Sequence, residues 1–195
     1  MAGNTEIGGG RRGSRWRIAV WGTAAFLLLL PLVAMQFTEE VNWDETDFAV
    51  IGAMLVVACG TYELAARMTG NSAYRAAFGV AVAAAFTLVW MNLAVGIIGT
   101  EDNPANLMYG GVLAVGIIGT VIARFQPHGV AHALVATALA QALVAVIAVI
   151  AGMGYPASPP LEILGVTALF TVLWLISAWL FRKAAREQTP AGAAP

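Results

Sequence analysis

Six long apolar stretches fill the chain, and short polar or glycine- and proline-bearing segments separate them. They cover about residues 18–35, 48–66, 74–99, 104–123, 130–153 and 161–181. Each is close to the roughly 20 residues a helix needs to cross the hydrocarbon core of a bilayer, so the pattern predicts six membrane helices. The expected fold class is all-α, a polytopic membrane helix bundle. Asp44, Thr46 and Asp47 supply cap and dipole-complementing groups at the start of the second helix. Polar turns carry Arg67, Gly70, Asn71 and Arg75 after the second, and Arg124 with Gln126-Pro127-His128-Gly129 after the fourth. Gly154-Tyr155-Pro156 and Pro159-Pro160 part the fifth from the sixth.

One octapeptide, Leu-Ala-Val-Gly-Ile-Ile-Gly-Thr, is written twice, at residues 93–100 and 113–120. Between the copies lies the hydrophilic insert Glu101-Asp102-Asn103-Pro104-Ala105-Asn106. Two apolar runs around such a turn predict helices meeting at a tight hairpin, the second starting near Pro104. The repeat occurs once, so it is no solenoid period. In an antiparallel pair the copies fall at different depths and do not pack symmetrically. Thr137, Gln141, Ala145 and Ala148 share one face of the fifth helix, and Gly79, Ala83 and Thr87 one face of the third. Small residues at such spacing predict helix-packing seams. Trp90 and Trp174 are placed deep enough to pack between helices.

Composition strengthens this picture. Hydrophobic residues make up 59% of the chain and charged residues 11%, against about 25% charged in soluble domains. Six helices and their turns use nearly all 195 residues, leaving no room for a soluble domain. The expected organisation is a disordered basic cytoplasmic tail at 1–17, a six-helix transmembrane domain at 18–183 and a disordered cytoplasmic tail at 184–195. The first run exceeds the core of a signal peptide, about 7 to 15 residues, and Leu32-Val33-Ala34 fits a cleavage site poorly. A retained first span is expected rather than a cleaved signal.

The net charge of −1 says little, but the placement of charge says more. If the spans alternate, all ten basic residues fall on one side and eight of the eleven acids on the other. The positive-inside rule then puts both termini in the cytoplasm. Trp16, Trp21, Tyr62, Tyr74 and Trp179 would mark the inner interface, and Trp43, Tyr109 and Tyr155 the outer one.

Candidate chemistry is sparse. Asn103-Pro104-Ala105 resembles the half-helix tip of aquaporins over three residues. No second triplet exists, and its flanks already read as full spans, so the expected roles are local. Asn103 caps the fourth helix, Pro104 takes its first position, and Glu101 with Asp102 complements its dipole. His128 and His132, at i and i+4, could hold a divalent metal with Glu63 as third ligand. Solvated interfacial histidines are the favoured reading. Glu63 is the acid nearest to being intramembrane; its spacing to Arg67 suits an ion pair, and the sharper alternative is a proton carrier. Asn92 and Gln141 offer interhelical contacts or, alternatively, a polar path.

The acidic segment 36–47 lacks the spaced ligands and glycine of a Ca²⁺ loop. The N-terminal arginines are a topogenic signal first and an anionic-lipid contact second; without a folded module, nucleic-acid binding is not expected. The lone Cys59 excludes a disulfide within the chain. No intramembrane Ser/His pair, paired aspartates, His-Glu-x-x-His motif or phosphate-cradling glycine loop is present, so no enzyme and no cofactor is expected.

The run from Asn92 through Leu-Ala-Val-Gly-Ile-Ile-Gly-Thr-Glu-Asp-Asn-Pro-Ala-Asn-Leu-Met to Tyr109, with the second octapeptide to Gly119, resembles a family of small bacterial multi-pass membrane proteins that carry no assigned function. Met35-Gln-Phe-Thr-Glu-Glu-Val-Asn-Trp43 and Asp47-Phe48 fit the same resemblance. It implies residence in the bacterial cytoplasmic (inner) membrane and supplies no activity and no site residues. The expected function is a non-enzymatic packing or assembly component, its partners the lipid bilayer and a second copy or another membrane protein. The alternative is a channel or transporter for a small neutral solute or ion. A water-wide cavity lined by Asn92, Gln141 or Glu63 would favour transport, and a solid core with an exposed Gly/Ala face would favour assembly.

Overall fold

The computed structural model describes residues 9–39 and 41–188, with side chains from Trp16 onward. Among the described residues there is helix, turn and loop but no strand. Six helices among these residues are long and apolar enough to cross a membrane. In chain order the helices are α1 (Gly9–Ala34), α2 (Glu45–Met68), α3 (Ser72–Ala94), α4 (Met108–Ile122), α5 (Pro127–Ile150) and α6 (Pro160–Gln188); a 3-10 turn, Pro104–Leu107, leads into α4 and completes its span. The chain divides into two compact units, Met1–Leu64 and Ala65–Pro195.

In the first unit the start of α2 is set locally. Asp44 Oδ1 accepts from the backbone N–H groups of Thr46 (2.7 Å) and Asp47 (3.0 Å), and Asp47 Oδ2 accepts from Asp44 N–H (3.0 Å). This is a reciprocal capping box. Trp43 and Phe48 pack edge to face across it, centroids 5.5 Å apart, the hydrophobic staple that fixes the chain's entry. Helix α1 begins at Gly9, inside the segment expected to be a tail up to residue 17. Helix α6 likewise continues to Gln188, past the expected limit at 183. Hydropathy marks where apolar character stops, and a helix can run on beyond it. The expectations for residues 1–8 and 189–195 lie outside the described residues.

In the second unit α5 packs against α4 and α6, and α6 also packs against α3. Helix α5 buries Ala131, Leu134, Ala138, Gln141, Ala145 and Ala148, and α6 buries Ile163, Thr167, Phe170, Trp174, Ser177, Phe181 and Ala184. Both sets alternate steps of three and four, the spacing of a heptad seam. Small side chains on α5 admit large ones from α6. Ser177 Oγ donates to Ala77 O (2.7 Å), tying α6 to α3, and Tyr74 meets Phe181 edge to face at 5.0 Å.

Three expectations need correction. The buried face of α3 is Ala73, Tyr74, Ala77, Ala84 and Leu88, while Ala83 is exposed, so the predicted Gly79/Ala83/Thr87 seam is not the packed one. Trp174 is in the core, but Trp90 is exposed and meets Phe86 with the rings tilted at 51°, centroids 6.1 Å apart. The third helix stops at Ala94 rather than 99, because Gly96 takes φ +71°. Its N–H bonds back to Met91 O (3.0 Å), closing the helix on a left-handed glycine.

Candidate functional site

At one end of the second unit, residues 95–103 leave the helix and carry backbone groups that need partners. Asn106 supplies them. Its Oδ1 accepts from Ile97 N–H (3.1 Å) and Ile98 N–H (2.9 Å), and its Nδ2 donates to Thr100 O (2.8 Å) and Ile98 O (3.4 Å). Ser158 reaches the same loop from the α5–α6 connection, its Oγ accepting from Gly99 N–H (3.1 Å) and donating to Gly99 O (3.2 Å). Asn103 Oδ1 caps the turn at Ala105 N–H (2.9 Å), and Pro104 occupies its first position. Asn103 Nδ2 also donates to Met153 O (2.9 Å), holding the two loops together. Asn106 and Ser158 were not singled out from sequence. In the sequence Asn106 is legible only as the last residue of the hydrophilic insert.

A polar belt lies within the bundle. Gln141 is wholly enclosed, at 0% exposure, and neither its Oε1 nor its Nε2 has a hydrogen-bond partner among the described residues. The same is true of the Tyr109, Thr167 and Thr171 hydroxyls and of Trp174 Nε1. Thr167 lies beside the Tyr109 hydroxyl without a hydrogen bond between them. Asn92 is turned back on its own helix, Nδ2 donating to Leu88 O (2.8 Å). The structure does not join Asn92 to Gln141. Buried polar groups are normally paired, so this belt is the least satisfied part of the interior.

Glu63, in the first unit, is buried between two side chains of α1. Its Oε1 stands 2.9 Å from Arg17 Nε, and its Oε2 accepts from Trp21 Nε1 at 2.9 Å. Trp16 and Tyr62 meet edge to face beside them. Sequence spacing directed attention to Arg67, four residues along the same helix. The partners from α1 were missed, although Arg17 and Trp21 lie one turn apart and so share a face. Among the described residues no three His, Cys, Asp or Glu side chains stand together as a metal site.

The two histidines do meet each other. Helix α5 starts at Pro127, which includes His128 in its first turn, and the rings of His128 and His132 stack edge to face, centroids 4.6 Å apart. They line a cleft of about 580 Å³ with Gln126, Arg182, Arg186 and Gln188. Tyr74 fixes the preceding turn, its hydroxyl donating to Phe125 O (3.0 Å). Arg124 and Phe125 both adopt left-handed backbone there, φ 49° and 58°. Glu187 does not line the cleft; its Oε2 accepts from Asn71 Nδ2 (2.9 Å) at the start of α3. Two arginines in the wall oppose a dication by simple Coulomb repulsion.

Six apolar spans and an all-helical build define the class, a multi-pass helical membrane protein. No family model, curated protein or solved structure matches the chain.

Proposed function

We propose that the protein is a non-enzymatic packing or assembly component of a bacterial cytoplasmic membrane, with both termini on the cytoplasmic side. The observation that carries this reading is the enclosure of Gln141: an amide with 0% exposure sits on the buried face of α5, where a solute path requires it to line open space. The surface of α4 supports it. A Cβ at Gly110 or Gly111 would meet nothing within 4 Å, and small residues of this kind let a second membrane helix approach closely. Side placement rests on the positive-inside rule. Bacterial residence rests on the sequence resemblance carried by Asn92 to Tyr109.

The test is purification of the full chain in mild detergent, read by native mass spectrometry. A stable complex, with itself or a co-purifying membrane protein, that weakens in a Gly110→Leu/Gly111→Leu variant is the expected outcome. A strictly monomeric, partner-free protein overturns the reading.

A second reading, a channel or transporter for a small neutral solute or ion, is favoured by the unpaired polar atoms of Tyr109, Gln141, Thr167, Thr171 and Trp174. A transported solute could satisfy those groups in passing. Solute flux in reconstituted vesicles that falls on Gln141→Leu would establish it.

A further inference from the structure

We propose that the cleft between the start of α5 and the end of α6 binds a phosphate-bearing anion, and that its source is the headgroup of an anionic phospholipid. The cleft is about 580 Å³, within the size range of small-molecule sites. Its walls bring Arg182 and Arg186, one turn apart on α6, opposite His128 and His132 on α5. Neither arginine makes an ion pair among the described residues. A guanidinium offers a planar fork of donors that matches phosphate oxygens two at a time. The open end of α5 adds to this. Pro127 has no N–H, and the first helical bond recorded there is Val130 N–H to Gln126 O, which leaves the His128 and Gly129 N–H groups at the positive end of the helix dipole.

Position favours a lipid. Arg182 and Arg186 follow the apolar part of α6, and His128 and His132 begin a helix apolar enough to span a bilayer. That places the cleft at headgroup level, where basic side chains attract anionic lipid. Glu187, next to Arg186 in sequence, is engaged with Asn71.

The full chain is reconstituted in phosphatidylcholine nanodiscs with and without a minor fraction of phosphatidylglycerol, and lipid retained on extraction is read by native mass spectrometry. Wild type is expected to retain the anionic lipid selectively, and Arg182→Gln/Arg186→Gln to lose on the order of tenfold of that retention. Lys183→Gln removes the same kind of charge from the same helix outside the cleft and is expected to change retention by less than about twofold. Circular dichroism confirms that each variant is folded, and an Arg182→Lys/Arg186→Lys protein, which keeps charge but loses the fork, is expected to fall between.

In a second arm, inorganic phosphate is titrated into delipidated protein. Arginine-dependent phosphate binding without lipid retention keeps the anion site and assigns it a soluble source. Equal losses for Lys183→Gln and the double arginine variant overturn the proposal, since they show diffuse surface attraction alone. Retention unaffected by the arginines, or zinc binding abolished by His128→Ala/His132→Ala in place of anion binding, overturns it as well.

Discussion

The two copies of Leu-Ala-Val-Gly-Ile-Ile-Gly-Thr take different structures. In the first, helix α3 ends at Ala94, and Gly96 and Gly99 turn left-handed at φ +71° and +76°. In the second, all eight residues lie inside α4. Ile97 and Ile98 are 4% and 0% exposed, whereas their counterparts Ile117 and Ile118 are 64% and 58% exposed. The glycines serve different ends too. A Cβ at Gly96 would stand 2.4 Å from the Thr100 backbone, and one at Gly119 would stand 2.7 Å from Ala133 Cβ on α5. The first needs its backbone freedom, and the second its smallness for close helix packing. The residues C-terminal to each copy decide between the two outcomes. After the first comes an insert whose Asn106 can take over the freed backbone groups; after the second, the apolar Val121-Ile122 prolongs the helix.

That difference can be broken from either side. The largest effect is expected from Asn106→Ala, which leaves several enclosed backbone groups of the first copy unpaired and should cost about 3 kcal/mol in detergent unfolding followed by circular dichroism. Gly96→Ala comes next, at about 2 kcal/mol, combining left-handed strain with the backbone clash. The same change at Gly116 meets only the Thr137 side chain, its hydroxyl at 2.9 Å, and should cost about 1 kcal/mol. Equal losses at the two sites would remove the distinction between the copies. Ser158→Ala is expected to cost about 1 kcal/mol through its two bonds to Gly99. Smallest is Gln141→Leu, a nearly volume-conserving removal of an unpaired amide, expected to be neutral or stabilising by less than about 1 kcal/mol.

Helix starts were legible where the signal is local. Asp44 with Asp47, and Asn103 with Pro104, act within three residues of themselves, so sequence spacing suffices to read them. Helix ends were less so. Ile97 and Ile98 are as apolar as any lipid-facing pair, and hydropathy cannot distinguish an isoleucine buried within a loop from one in a span. The partners of Glu63 come from another helix, and Ser158 reaches Gly99 from 59 residues away. Those pairings depend on how elements are brought together, which spacing along one element does not encode. On α3 the periodicity was sound, but the buried face was Ala77, Ala84 and Leu88 rather than Gly79, Ala83 and Thr87.

Within the second unit Asn106 and Ser158 close a loop, Ser177 ties two helices, and Gln141 is enclosed without a hydrogen-bond partner among the described residues. The most direct measurement places a cysteine at Gln141 in a Cys59→Ser background and exposes it, in vesicles, to a membrane-impermeant maleimide from each side. The thiol should stay unlabelled until the protein is denatured. Labelling of the folded protein from either side would show an open aqueous path through the bundle and contradict the account.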